Sequence, residues 1–472
     1  MNGENMGDFD RRQYLKFIAA KRNKIGTAGF KTEHQPDSLF EHQHRAVDFA
    51  CENGRSACFL DTGLGKSRVE AVFASEVLRQ TNKPVLILTP IAVAQQMKRE
   101  CEAAGVEAKV IREDDDVWSG VNIANYERLP KINAARFGGV VLDESSILKS
   151  FAGATKRMLV ESFKDTPYRL AATATPAPND HIELGTHSEF IGNLGSMEML
   201  CRWFINDTSK ASQEWRLKGH AKADFWGWVA SWARAASLPS DLGGDDEGFI
   251  LPPLKYDTHV IAADVSENTD GALFRIVDNS ATSVHREKRL TINDRVAAAA
   301  EIANKETGAV VVWCETNDES RALANAIPDA VEVHGSMTLD AKEAGLNAFT
   351  FGERRVIVSK PKLAGFGLNW QHAQTQVFAS ISHSYEQHYQ AVRRLWRFGQ
   401  KKPVTAHVII SDTEYPMWKN VRRKAADHDR MKKAMAQAMI VAQRSDAGKR
   451  VYTRIPDVEL PKFISGGKSN AA

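Results

Sequence analysis

Cysteine is scarce in this sequence: five residues in 472, an odd number with no CxxC pair. Neither a disulfide framework nor a cysteine-based zinc site is expected, and the usage fits a reducing cytoplasm. Long apolar runs are missing as well, with nothing near the roughly 20 residues that a membrane span needs, so no membrane partner is expected. The opening "MNGENMGDFDRRQYLKF" lacks the basic-then-apolar order of a secretory leader. Charge of one sign is lacking too, because 62 Lys and Arg face 59 Asp and Glu for a formal net charge of +3. Composition alone therefore announces no nucleic-acid partner, and any basic groove must come from clustering. The 14 histidines show no metal-ligand spacing. There is no internal repeat and no long low-complexity tract. What is present, 43% hydrophobic and 26% charged residues, is the composition of a globular protein with room for about three domains.

The first half alternates short apolar runs with helical periodicity. "SACFL" leads into "DTGLGKS" and "RVEAVFASEVLRQ", followed by "PVLILTP", "IAVAQQMKREC", "VNIANY", "GGVVLDES" and "YRLAATATP". Val, Ile and Leu runs without polar alternation predict strands buried on both faces of a parallel sheet, with helices on either side. The rhythm returns after residue 300 in "AVVVWCE", "DESRALANAI", "VEVHG", "RVIVSK", "TQVFAS" and "VTAHVII". Each half carries its own core strands, so the expected fold class is α/β with two parallel-sheet lobes.

The expected layout is an N-terminal appendage over 1–35, a first lobe over 36–195 and a Trp-rich helical insertion with linker over 196–254. A second lobe over 255–412 and a basic C-terminal helix and tail over 413–472 follow. The tryptophans of "DFWGWVASWA" at helical spacing read as packing, with nucleobase stacking as the rival role. The basic tail helix reads either as a solvated helix or as one lying along nucleic-acid phosphates.

"LDTGLGKS", Leu60 to Ser67, sits between an apolar strand and a helix, the context that a phosphate-binding loop requires. Glycines let backbone N–H groups approach phosphate oxygens, and the helix N-terminus adds a favourable dipole. In that reading Lys66 reaches the β- and γ-phosphates and the Ser67 hydroxyl ligates Mg²⁺. The strict pattern GxxxxGK(S/T) fails at Leu60, and an ordinary glycine-rich turn is the alternative. "VVLDESS" ends an apolar strand in two adjacent carboxylates, Asp143 and Glu144. One carboxylate at such a position holds Mg²⁺ and its neighbour activates the attacking water. A bound dication would offset their repulsion, which is otherwise hard to justify; a solvated strand corner is the bland rival. "ATATP" supplies small hydroxyl residues after another strand. In "SYEQHYQAVRRLWRFGQ", read as a helix from about Tyr385, Arg394 and Arg397 share a face at a spacing of three. So do Arg393 and Arg397 at four, and spacing alone does not choose between the pairs.

The order of these motifs, from about Leu39 to Ile410, resembles a superfamily-two helicase or translocase. It is nearest the sucrose-non-fermenting (chromatin-remodeller) branch and similar to relatives encoded by bacteriophages. The resemblance implies tandem RecA-like lobes with an inter-lobe helical insertion and a C-terminal helix, in a bacterial or phage-infected cell. It makes Gln43 of "LFEHQHRAVDFA" the adenine-reading residue. "DTGLGKS" becomes the first ATP motif (Thr62, Gly63, Leu64, Gly65, Lys66, Ser67) in a form that tolerates Leu60. Thr89 and Pro90 of "LILTP", and Asn125 and Tyr126 of "NIANYE", resemble contacts to the nucleic-acid backbone. "DESS" stands where the family writes Asp-Glu-Ala-His, with Ser146 in place of His. Thr173 and Thr175 of "TATP" resemble the coupling motif. "AGFGLNW" (Gly365, Gly367, Leu368, Asn369) resembles the second-lobe motif that links DNA to ATP, with Gly367 on the ATP side and Asn369 on the DNA side. Ser336 of "VHGS" joins the nucleic-acid set, and His334 reads as part of that turn rather than as a metal ligand. "QAVRRLWRFGQ" resembles the final motif, which puts the functional arginines at Arg394 and Arg397 and leaves Arg393 a bystander.

The expected activity is that of an ATP hydrolase driven by nucleic acid. Lys66, Asp143, Glu144, Arg394 and Arg397 are its catalytic set, and Ser67 and Asp143 its metal ligands. ATP and Mg²⁺ are the cofactors and duplex DNA the preferred partner, with monomers favoured. Replication, recombination or nuclease proteins are candidate associates. A nucleic-acid scaffold that uses ATP as a switch, and the motor subunit of a nuclease or restriction assembly, are the alternatives.

Overall fold

The apolar runs become strands buried on both faces, as a parallel sheet covered by helices demands. The computed structural model describes residues 29–90, 93–207, 214–262, 288–364 and 369–444. In the first lobe these are β1 (Arg55–Leu60), β2 (Val85–Thr89), β3 (Ala108–Val110), β4 (Val121–Asn125), β5 (Gly139–Asp143) and β6 (Tyr168–Ala172). A hairpin of β7 (Phe204–Asp207) and β8 (Glu214–Leu217) is followed by β9 (Ala233–Ala236). The sheet order is β3-β4-β2-β5-β6-β1-β9, parallel throughout. The second lobe holds β10 (Leu254–Ile261), β11 (Val310–Trp313), β12 (Ala330–Val333), β13 (Val356–Ser359), β14 (Thr375–Phe378) and β15 (Val404–Ser411). Their order is β10-β15-β14-β11-β13-β12, again parallel. The α/β class with two parallel-sheet lobes is therefore as the sequence predicts.

Adjacency in the first sheet places the site. β5, β6 and β1 are neighbours, with Asp143 opposite Ala172 and Cys58 opposite Ala172 in register. The segments leaving the carboxyl ends of these three strands are the glycine loop "DTGLGKS", the acid pair and "TATP". Ligands in open α/β sheets sit beyond strand carboxyl ends, and here three chemistry-bearing stretches meet there.

Two expected boundaries need correction. The insertion assigned to 196–254 is not a separate unit, because β9 pairs with β1 and completes the first sheet. The helix Lys222–Trp232 buries its apolar face in the same core. Trp203, Trp228 and Trp232 are each about 1% exposed. The Trp203 ring stacks on Trp228 at 4.7 Å between centroids, and its indole N–H donates to Asp224 at 2.6 Å. These rings fill the core, and their faces are not open to stack bases. β9 thereby replaces β1 as the edge strand of the sheet.

The C-terminal segment assigned to 413–472 is likewise no detached tail over its described part. The helix Tyr415–Arg444 has 30 residues, about 45 Å at 1.5 Å per residue. Met417, Trp418 and Val421 lie in the second-lobe core, whereas Met431, Met435 and Met439 lie in the first-lobe core. The Ala235 N–H donates to Met439 Sδ at 3.0 Å. Spacing of four between these methionines puts all three on one face, and that face is taken by the first lobe. Of the N-terminal appendage only 29–35 is described; Phe30 sits edge-on to Tyr168 at 5.4 Å. No helix among the described residues is long and apolar enough to cross a membrane.

Because Met439 is fully buried, Met439→Ala is expected to cost about 2–5 kcal/mol of stability. Urea denaturation checks this, with a lower midpoint and an unchanged slope as the expected result.

Candidate active site between the lobes

The loop "DTGLGKS" is shaped by two left-handed glycines. Gly63 has φ +100° and Gly65 φ +76°, conformations that side chains disfavour. Space forbids a side chain too: a Cβ on Gly65 would meet Gln43 Nε2 at 2.0 Å, and one on Gly63 would meet the Phe398 backbone nitrogen at 2.9 Å. Gln43 donates to the Leu64 carbonyl at 3.0 Å, and a ring nitrogen of His42 lies 3.0 Å from the same oxygen. The helix Lys66–Thr81 starts directly after Gly65, so its first N–H groups and Ser67 face the space that the loop encloses.

Lys66 answers for the acid pair at the end of β5. Its Nζ lies 3.0 Å from Glu144 Oε1 and 3.8 Å from Asp143 Oδ1. Burial opposes the lysine charge, but the two carboxylates outweigh it and hold the ammonium above its usual range. Asp143 is pushed up to about 6, chiefly by burial and against the pull of Lys66. Glu144 has φ 54°, an uncommon backbone for a non-glycine residue that costs about 1–2 kcal/mol. This bend turns its side chain so that Oε1 meets Lys66 and Oε2 accepts from the Thr173 hydroxyl at 3.2 Å. Thr173 Oγ1 in turn accepts from the Thr175 N–H at 3.1 Å. The "TATP" segment is thus wired to the acid pair through Thr173, and Ser146 stands buried beside it.

The second lobe supplies the opposite wall. A cavity of about 160 Å³ is lined by Lys66, Ser67, Asp143 and Glu144 from one side and by Arg394 and Arg397 from the other. The expected helix carrying the arginines stops early: it spans Tyr385–Val392, with Arg393 as its C-cap. Arg394 and Arg397 therefore converge through turns rather than through helical spacing. Burial, and then the neighbouring Arg397 charge, push Arg394 down to about 9. Arg397 is lowered by burial and then by Arg393. Clustered cations that burial disfavours gain strongly from an incoming anion, which is the electrostatic character of a phosphate site.

Arg393 is no bystander. Its Nη2 pairs with Asp61 at 2.9 Å and donates to the Thr62 carbonyl at 3.1 Å, so it ties the second lobe directly to the glycine loop. The nucleic-acid set is split by the structure. Tyr126 points inward, with its hydroxyl donating to the Asp143 carbonyl at 2.7 Å. It props β5 from below and its side chain is not presented to a ligand. Thr89 is fully buried, its hydroxyl donating to the Pro90 carbonyl at 3.2 Å. Asn125 is half-buried, whereas Ser336 and Asn369 are exposed on the second lobe. Thr62, Gly63 and Gly65 line the cavity. Gly365, Gly367 and Leu368 lie outside the described residues.

Sequence reasoning missed Glu70. It is fully buried one turn into the helix after Lys66, with neither carboxyl oxygen hydrogen-bonded within the usual limits. Burial, and then Asp143, raise its pKa well above 4.5. The signal was available as a lone acid in the apolar run "VEAVFA". Phe398 was missed as well; it closes over Gly63 and stacks on Phe249 at 4.4 Å.

Residues 294–399 match the helicase conserved C-terminal domain. No curated protein sequence matches the chain. Among solved structures, S. cerevisiae Dbp5 bound to Gle1 and IP6 is 11% identical with a TM-score of 0.50, over 93% of this chain and 100% of that one. The Sulfolobus solfataricus SWI2/SNF2 ATPase core in complex with dsDNA is 15% identical with a TM-score of 0.41, over 88% of this chain and 97% of that one. The chain shares with Dbp5 its fold of two tandem RecA-like lobes.

Glu70 yields a pH prediction. Its pKa is raised on folding, so the folded protein holds a proton there that the unfolded chain releases. Stability from this source falls as pH rises from the unfolded value through the folded one. Glu70→Gln removes that dependence. Its melting temperature is expected to exceed the parent's near pH 8 and to approach it near pH 5. Calorimetry at the two pH values is the check.

Proposed function

We propose that the chain is an ATP-dependent motor on nucleic acid, with duplex DNA rather than RNA as its track. One observation carries the reading: Lys66 and the acid pair of one lobe line the same cavity as Arg394 and Arg397 of the other. A nucleotide gripped from both lobes makes hydrolysis and lobe movement one event. The helicase C-terminal domain match over 294–399 supports the same class. The preference for duplex DNA rests on the remodeller-like form of "DTGLGKS" and "RRLWRFGQ".

The donor set suits a hydrated divalent cation, because hydroxyl and carboxylate oxygens of Ser67 and Asp143 flank a cavity rich in further carboxylates. Bound there, Mg²⁺ would neutralise phosphate charge. The protein groups do the rest. Lys66 exchanges its carboxylate partners for the β- and γ-phosphates, which frees Glu144. Glu144 takes a proton from the attacking water as the new P–O bond forms. The bond to the β-phosphate oxygen breaks, and its electron pair leaves with ADP. Arg394 and Arg397 stabilise the charge on the transferred group. Thr173, bonded to the Glu144 carboxylate, reports the change to "TATP".

Three measurements test the reading. Lys66→Ala is expected to retain DNA binding while ATP turnover drops about 10²–10³-fold. Arg397→Ala is expected to lose about 10³-fold or more, as for arginines that stabilise phosphoryl transfer. Turnover of the parent is expected to rise with duplex DNA more than with RNA. No turnover, with or without nucleic acid, would instead fit a scaffold that uses ATP only as a switch. A triplex-displacement assay beside forked-duplex unwinding then separates translocation from strand separation, with displacement alone expected.

A further inference from the structure

The C-terminal helix brings a cation to the phosphate loop that no motif of the sequence announces. Lys432 Nζ lies 2.8 Å from Asp61 Oδ2, both side chains being almost buried. Asp61 Oδ1 takes Arg393 at 2.9 Å and accepts from the Tyr389 hydroxyl. One carboxylate at the start of the loop is therefore held by three groups from outside the first lobe's sheet. Burial alone would raise Asp61; Arg393 and then Lys432 overcome it and keep the carboxyl far below its usual range. Lys432 has no freedom to wander, because Met431 and Met435 on either side of it are locked in the first-lobe core.

The electrostatics of the cavity explain why this matters. Its lining already includes Asp143, Glu144 and Glu100 beside Asp61, and a triphosphate brings several more negative charges. An uncompensated Asp61 at the mouth of the loop would repel the ligand that the loop cradles, and in a buried site such repulsion is weakly screened. Thr62 N–H also donates to Asp61 Oδ1 at 3.0 Å, so the carboxylate sets the orientation of the loop's first peptide. Charge and geometry of the loop both depend on what holds Asp61.

We propose that Lys432 is a positioning residue of the ATP site: from the docked C-terminal helix it neutralises and anchors Asp61, and so keeps the phosphate loop able to take ATP. The proposal rests on the ATPase reading above and adds the helix to its machinery.

The test uses the full chain and two readouts, equilibrium binding of a fluorescent ATP analogue with Mg²⁺ and steady-state turnover. Lys432→Met is expected to weaken analogue binding roughly tenfold, with KM rising in step and kcat changing less. Lys432→Arg, which keeps the charge, is expected to return binding to within about threefold of the parent. Lys433→Met, at the exposed neighbouring position, is expected to change neither readout. In an Asp61→Asn background, where there is no carboxylate to neutralise, Lys432→Met is expected to have no further effect on binding. Parent-like binding by Lys432→Met overturns the proposal. So does failure of Lys432→Arg to rescue, or an equal loss in the Asp61→Asn background, because each would leave Lys432 as helix packing alone. A parent that binds the analogue but never turns over ATP overturns the motor reading, while the binding series still decides the role of Lys432.

Discussion

Two like charges at the end of a buried strand set the terms for this molecule. Asp143 and Glu144 stand side by side where solvent screening is poor, and Lys66, at 3.0 Å from one and 3.8 Å from the other, offsets their repulsion. A lone lysine against two carboxylates, with the buried Glu70 behind them, leaves the cluster short of positive charge. The fold is arranged around that shortfall. Parallel strands bring three carboxyl ends to one edge, a helix aims its N-terminus there, and a second lobe adds arginines. Lys66, the Thr173 hydroxyl and the arginines of the second lobe all bring positive charge or a donor toward the acid pair.

The same accounting explains the lobe contact. Asp61 is a fourth carboxylate near the cavity, and the groups that satisfy it come from Arg393, Tyr389 and Lys432. A further inter-lobe pair, Lys149 with Glu386, lies beside the "DESS" turn. The geometry of the glycine loop is thereby linked to the placement of the second lobe, since a shift of either changes who neutralises Asp61. Gly63 permits the approach: its missing side chain is what lets the Phe398 backbone come so near.

Much of this was legible in the sequence, for reasons that are local. Apolar runs without alternation gave both sheets, and the glycine loop between strand and helix gave Lys66 and Ser67. The acid pair at a strand end gave Asp143 and Glu144. What was not legible depends on distance along the chain or on direction in space. Asp61 and Lys432 are 371 residues apart, and no window of sequence joins them. Tyr126 reads as a surface contact by motif, yet its ring turns inward to serve a carbonyl. Arg393 and Arg394 are adjacent, and only the end of the helix at Val392 decides that one takes Asp61 while the other faces the cavity. The Trp-rich stretch reads as an insertion because its composition changes abruptly, although β9 returns it to the first sheet.

The two lobes are joined twice, by the chain that runs from Ala236 to Leu254 and by the helix whose ends are seated in both cores. A body tethered at one point swivels freely, whereas one tethered at two turns only about the line between them. The long helix thus ties the lobe that carries Arg394 and Arg397 to the lobe that carries Lys66 at a second point, separate from the linking chain.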